Sequence, residues 1–231
     1  MIVAGGTPIR AAKNATTTVP IVMAMSPDPV GSGYVESLAR PGRNIEGLSS
    51  MARELSGKRL ELFRDVVPKI RRIGVLWSAS SEPAFNETVS AAHALNLNME
   101  PFQIHDPNEF EGPFTSMARD KPDGLFTIAS AFLSANRKRI LDFAARSRIP
   151  GMYHNEDFIE AGGLMSYAPS LLDLYRRAAT YVDKILRGAK PAELPVEQPT
   201  EFDFLINLRT AKQIGLTIPP NVLARADRVI K

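Results

Sequence analysis

The sequence predicts an α/β fold built on parallel sheets, and three observations carry that prediction. Short apolar runs bounded by turn residues recur along the chain, among them Ile21-Val22-Met23-Ala24-Met25, Ile73-Gly74-Val75-Leu76-Trp77 and Gly124-Leu125-Phe126-Thr127-Ile128-Ala129. Runs of that length read as strands covered on both faces, as in parallel sheets. Polar loops and then helical patterns follow them at roughly 25-residue spacing, the rhythm of βαβ units. The helical patterns are amphipathic, each with one apolar stripe to lay against a sheet.

In chain order, Ile2-Val3-Ala4 reads as a strand, Gly5-Gly6-Thr7-Pro8 as a turn and residues 9–14 as a helix. Thr7 suits its N-cap and Pro8 its first position. The free N–H groups there suit a ligand carboxylate; the alternative is a plain capped helix. Residues 21–25, bounded by Pro20, form the next strand, and Ser26-Pro27-Asp28-Pro29 follows as extended or turned backbone, held by its prolines. Tyr34, Val35 and Leu38 predict a short helix beginning beside Asp28 and ended by Arg40-Pro41-Gly42, with residues 44–49 as an extended exit. An open loop at a strand's carboxyl end is where α/β sheets bind small ligands, which singles out Ser26 and Asp28.

Residues 51–72 read as a helix with Leu55, Leu60, Leu62, Phe63, Val66 and Val67 inward and Lys58, Arg59, Glu61 and Arg64 outward. The strand at 73–77 runs into Ser78-Ala79-Ser80-Ser81-Glu82-Pro83 and a helix over 84–95. Serines there offer hydroxyls and N–H groups without bulk, for a ligand carboxylate or amide or simply for capping. Trp77 packs in the core at the strand's end, or stacks on an aromatic ligand. Residues 99–104 alternate like a strand near a sheet edge, and 108–119 form a helix with Phe110, Phe114 and Met117 inward. After the strand at 124–129, Ser130-Ala131-Phe132-Leu133 is expected as its ligand-facing loop, followed by a helix over 137–146.

The strand at 149–153 opens on His154-Asn155-Glu156-Asp157. Adjacent residues on one loop do not converge on an ion, and His93 and His105 show no ligand spacing to them, so no metal site is expected. Glu156 or Asp157 is predicted to cap the turn at 158–160, leaving Asn155 as a donor to a ligand. Residues 161–168 read as a return crossover, its two glycines allowing tight backbone, with Tyr167 either laid on a ligand or used in packing. A long amphipathic helix spans 171–186, a strand 202–207, a helical turn 210–214 and a terminal helix 224–230.

At 231 residues the chain can bury one large core or two small ones. Its 44% apolar and 23% charged content is ordinary for a globular protein. No apolar run approaches the roughly 20 residues that span a bilayer. A net charge of +3, spread over several helices without aromatic interleaving, argues against a nucleic-acid groove. Zero cysteines remove disulfide, thiolate and zinc–sulfur chemistry together. No Gly-rich nucleotide fingerprint, Walker loop or G-x-S-x-G elbow is present, so neither cofactor nor catalysis is expected.

Three phrases carry a resemblance: DPVGSGYVESLARPGRNIEGLS, then ELSGKRLELF, and EAGGLMSYAPSLLDLYRRAATYVDKILRGAKPAELPVEQPTEFDFLINLRTAKQIGLTIPP. They resemble the ABC-transporter substrate-binding proteins related to the tryptophan-binding TrpX type, over essentially the whole chain. The resemblance implies a two-lobed type I periplasmic-binding-protein fold, each lobe a parallel sheet flanked by helices. Such a fold closes by hinge motion on a small molecule in the interlobe cleft and delivers it to a membrane permease. On this reading residues 1–49 belong to the first lobe, 50–166 to the second and 167–195 return to the first. Residues 196–231 form a C-terminal segment of the second lobe.

Relatives of this type begin with a secretory signal and about two βα units, each roughly 30 residues or more. Met1-Ile2-Val3-Ala4-Gly5-Gly6-Thr7 resembles a strand and turn well inside the first lobe, and no signal peptide is visible. The first lobe is therefore expected to be incomplete, with an edge that a homodimer would cover. A periplasmic or exported location is implied by the resemblance alone. The expected ligand contacts are Thr7, Ser26 and Asp28 from the first lobe, and Ser78, Ser80, Ser130, Asn155 and Tyr167 from the second. Asp28 would pair with a ligand ammonium and the helix N-termini with a carboxylate, so an amino acid is the expected solute class, aromatic amino acids among the candidates. Two alternatives stand beside it: a truncated paralogue that transports nothing, and an enzyme on a flavodoxin-like sheet.

Overall fold

Ten strands and ten α-helices, most of them in alternation, make up the computed structural model, which describes residues 1–231. The strands are β1 (Ile2–Ala4), β2 (Ile21–Ser26), β3 (Ile45–Ser49), β4 (Arg72–Trp77), β5 (Asn98–Gln103), β6 (Gly124–Thr127), β7 (Gly151–Tyr153), β8 (Met165–Pro169), β9 (Phe202–Asn207) and β10 (Arg228–Ile230). The helices are α1 (Gly6–Ala15), α2 (Leu55–Val66), α3 (Glu82–Ala94), α4 (Glu111–Asp120), α5 (Ala131–Ala135), α6 (Arg137–Ser147), α7 (Glu156–Glu160), α8 (Leu171–Leu186), α9 (Leu208–Ile214) and α10 (Pro220–Leu223). The chain divides into one unit of residues 1–52 with 169–202, and another of residues 53–168 with 203–231.

The first unit holds three parallel strands in the order β1-β2-β3. Side chains of a strand alternate between faces, and β2 uses both. Ile21 and Met23 pack with Ile9, Tyr34 and Ile45, while Val22 and Ala24 pack with Leu48 and with Leu174, Ala178 and Tyr181 of α8. Those three α8 residues recur at helical spacing, so one stripe of the helix covers the sheet. Gly47 is required where it stands: at φ 130°, a Cβ there would lie 2.2 Å from the Met23 carbonyl oxygen.

The second unit holds seven strands in the order β10-β9-β8-β7-β6-β4-β5. The registered pairs are parallel. One face packs Ile73, Val75 and Phe126 against Leu60 and Phe63 of α2; the other packs Leu76, Leu125 and Tyr153 against Phe110, Phe143 and Phe158. Each fully buried side chain of this size contributes about 1.5–3 kcal/mol. β5 lies at the sheet's end, as its alternating pattern predicts.

Five local expectations are corrected. No helix forms near Tyr34, because Pro29, Gly31, Gly33, Pro41 and Gly42 leave too short a run to pay for a helical nucleus. Turns form instead, with Tyr34 N–H donating to the Pro29 carbonyl at 2.9 Å and Glu36 N–H to that of Pro41 at 3.1 Å. Residues 131–135 are helical rather than a loop. Thr7 lies inside α1, whose cap position is Gly5 at φ 82°. Asn155, not Glu156 or Asp157, occupies the cap position of α7. The terminal helix is replaced by β10, since the Asp227 carboxylate accepts Phe204 N–H at 2.7 Å and aligns Arg228 with Leu205.

Candidate functional site

In the first unit, polar groups gather where β2 ends. Gly5 N–H donates to the Met25 carbonyl at 2.8 Å, fastening the β1–α1 turn to that strand end. Ser26 is fully buried and its Oγ has no hydrogen-bond partner. Asp28 spends Oδ1 on Gly31 N–H at 2.8 Å, but its buried Oδ2 accepts from nothing. A buried polar atom without a partner costs about 1–3 kcal/mol, and folded chains carry few of them. Thr7 is exposed in the first turn of α1, and Tyr34 Oη donates to the neighbouring Gly6 carbonyl at 2.7 Å.

In the second unit the corresponding ends are those of β4, β6 and β7. Ser78 Oγ donates to Ser130 Oγ at 2.8 Å and lies 3.0 Å from Ser80 Oγ, so three hydroxyls from two loops form one chain. Ser78 and Ser81 cap the short turn Ala79–Ser81 reciprocally, and Ser130 caps α5 by accepting Leu133 N–H at 3.4 Å. Beyond β7, the buried His154 places Nδ1 3.0 Å from Thr127 Oγ1 and Nε2 2.9 Å from Ser134 Oγ. Burial, with the Arg59 guanidinium second, pulls its pKa down to about 3, so the ring is neutral. A neutral imidazole has one donor and one acceptor, so the two hydroxyls take opposite roles. Asn155 Nδ2 donates to Ser134 Oγ at 3.4 Å, and its buried Oδ1 has no partner.

The structure thus gathers Ser78, Ser80 and Ser130 into one network and links Asn155 through Ser134 to His154. Ser26 and Asp28 share the end of β2, whereas Thr7 stands apart on the surface of α1. Tyr167 is half-buried in β8, packed against the core, and its carbonyl accepts Arg59 Nε–H at 2.7 Å. Trp77 takes the packing role, stacked on Phe85 at 4.1 Å and 14°, with its Nε1 buried and unpartnered.

Sequence reasoning passed over Ser134, Thr127 and Arg59. Arg59 was expected outside and is buried with 3% of its surface exposed. The signal was available: it lies four residues after Leu55 and four before Phe63, on the apolar stripe itself. Ser134 and Thr127 matter only through His154, 20 and 27 residues away, which no local pattern reveals.

A model of the ABC transporter substrate binding protein family matches residues 1–230. A curated relative, the "Tyrosine-binding protein" of Clostridioides difficile, is 29% identical over 212 residues, covering 90% of this chain. The chain spans 60% of that relative's length. Among solved structures, the ABC domain from Streptococcus pneumonia in complex with L-Trp superposes with a TM-score of 0.92 at 27% identity, over 99% of this chain and 78% of that one. A conserved domain protein from Vibrio cholerae gives 0.91 at 25% identity, over 99% and 77%. The α/β fold of parallel sheets flanked by helices is therefore that of the periplasmic binding proteins. With the family model matching residues 1–230, the chain belongs to the ABC transporter substrate-binding proteins.

Proposed function

We propose that the chain is the solute-binding component of an ABC importer and that its solute is an amino acid with an aromatic side chain. One observation carries the reading. Each unit leaves a buried acceptor without a donor at a strand's carboxyl end, Asp28 Oδ2 in the first and Asn155 Oδ1 in the second, and an ammonium group is the kind of donor that either one lacks. The relatives with tyrosine in the name and L-Trp in the complex support the aromatic class. Asp28 takes the ammonium charge, Ser26, Ser78, Ser80, Ser130 and Asn155 supply hydrogen bonds, Thr7 contributes from α1, and Tyr167 offers a ring to the side chain. The reading needs binding and release without catalysis, a membrane permease as partner, and an exported or periplasmic location.

Isothermal titration against the common amino acids tests it: tryptophan, tyrosine or phenylalanine should bind and acidic residues should not. Absence of heat with every amino acid would overturn the reading and favour a paralogue that transports nothing. A second reading concerns assembly. β1 ends the three-stranded sheet with Ile2 53% exposed, and such an edge is a template for another strand. A second copy of the chain would cover it, which light scattering on the purified protein would report as a dimer; a monomer at all concentrations would refute it.

A further inference from the structure

Helix α2 holds one cation that it does not expose. Arg59 is buried, yet none of the chain's ion pairs includes it. Acids on the same helix are engaged elsewhere, Glu61 with Lys58 at 3.2 Å and Asp65 with Arg225 at 2.7 Å. Its own partners are neutral: Nε donates to the Tyr167 carbonyl at 2.7 Å and Nη2 to the His154 carbonyl at 3.4 Å. Those bonds use two of the five N–H donors a guanidinium carries. The adjacent His154 ring is neutral and brings no negative charge. Burial lowers the Arg59 pKa to about 10, which still leaves it charged at neutral pH. A buried charge without a counter-ion is expensive, and buried charges are as a rule paired.

We infer that Arg59 is the counter-ion for the carboxylate of the bound solute, so that the site selects carboxylates over their uncharged analogues. This rests on the amino-acid reading above and deepens it. An α-amino acid carries its carboxylate and ammonium on a single carbon, and so needs a cation and an acceptor side by side. Arg59 is held on the carbonyl of His154, and the next residue, Asn155, presents the unpartnered Oδ1. A guanidinium is also the group that matches a carboxylate with two parallel hydrogen bonds.

The competing role is structural: Arg59 joins the ends of β7 and β8 by their carbonyls and touches no solute. Titration calorimetry with tryptophan and tryptophanamide, which differ only in that carboxylate, separates the two roles. The wild type should prefer tryptophan by about tenfold or more, the value of a charge-assisted hydrogen bond. Arg59→Met should weaken tryptophan by about 10- to 100-fold while leaving tryptophanamide within about threefold, so that the preference disappears. Equal losses for both compounds, or a preference that survives, would overturn the inference. If Arg59→Met does not fold, Arg59→Lys keeps the charge and loses the fork: tryptophan should weaken by about tenfold and tryptophanamide hardly at all. Equal weakening of both by Arg59→Lys would again overturn it. A wild type that prefers tryptophanamide, or binds the two alike, refutes Arg59 alone; a wild type that binds neither, nor any other amino acid, refutes the amino-acid reading with it.

Discussion

Glu46→Gln should stabilise the protein in alkaline solution and leave it nearly unchanged in acid. Glu46 lies on β3, fully buried, and neither carboxyl oxygen has a hydrogen-bond partner. It aligns with Val22 on the sheet face covered by α8, among Leu48, Leu174 and Tyr181. Burial, only partly offset by the positive amino terminus, raises its pKa from 4.5 to about 8. The folded chain therefore holds this proton more tightly than the unfolded chain does. The contribution of the protonated group is complete below pH 4.5, declines as pH rises, and is lost above about 8. A gap of that size corresponds to at most about 5 kcal/mol, and relaxation of the surroundings around the charge lowers the expected loss to about 2–3 kcal/mol. Glutamine has the same shape and no proton to lose. Urea unfolding at pH 5 and pH 8.5, with amide exchange of β2 and β3 as a local readout, should show Glu46→Gln within about 1 kcal/mol of wild type at the lower pH. At the higher pH it should be about 2–3 kcal/mol more stable. A difference independent of pH would refute the reasoning.

Other predictions follow from the same geometry. Asp28→Ala should weaken an amino-bearing solute by more than about tenfold, the value of a charge-assisted bond, while the melting temperature holds, because the residue sits in a turn outside both cores. Unchanged affinity in calorimetry removes Asp28 from the site. The His154 ring should stay neutral from pH 8 down to about 4 in an NMR titration, since its folded pKa is held near 3. Its contribution to stability is then whole above pH 6.5 and lost as pH falls toward 3; a midpoint near 6.5 in the folded protein would contradict the buried, doubly bonded imidazole. Leu174→Ala removes the centre of the α8 stripe and should cost about 2–5 kcal/mol in urea unfolding, whereas a loss below about 1 kcal/mol would place α8 off the sheet.

Much of the fold was legible because its signals are local. Residues 171–186 read as a helix end to end, since Leu174, Ala178, Tyr181 and Ile185 recur at helical spacing before Gly188; the Ser170 cap is added by the structure. Residues 202–207 read as a strand because they alternate. What was missed depends on partners distant in sequence. Residues 228–230 are a strand only because β9 offers an edge and Asp227 sets the register. The site divides in the same way. Hydroxyls and carboxylates at strand ends were visible as residue types, but the Ser78–Ser130 bond spans 52 positions and the anchoring of Arg59 on Tyr167 spans 108. Arg59 also shows where reasoning by residue type misleads: a charge on an apolar stripe was assigned to solvent when its position assigned it to the interior.

A crystal structure grown with L-tryptophan would test the central claim most directly. The account predicts the amino acid seated at the strand ends of the second unit, its carboxylate on the Arg59 guanidinium and its ammonium within hydrogen-bond distance of Asn155 Oδ1. A tryptophan bound elsewhere, with Asn155 Oδ1 still unpartnered, would contradict it.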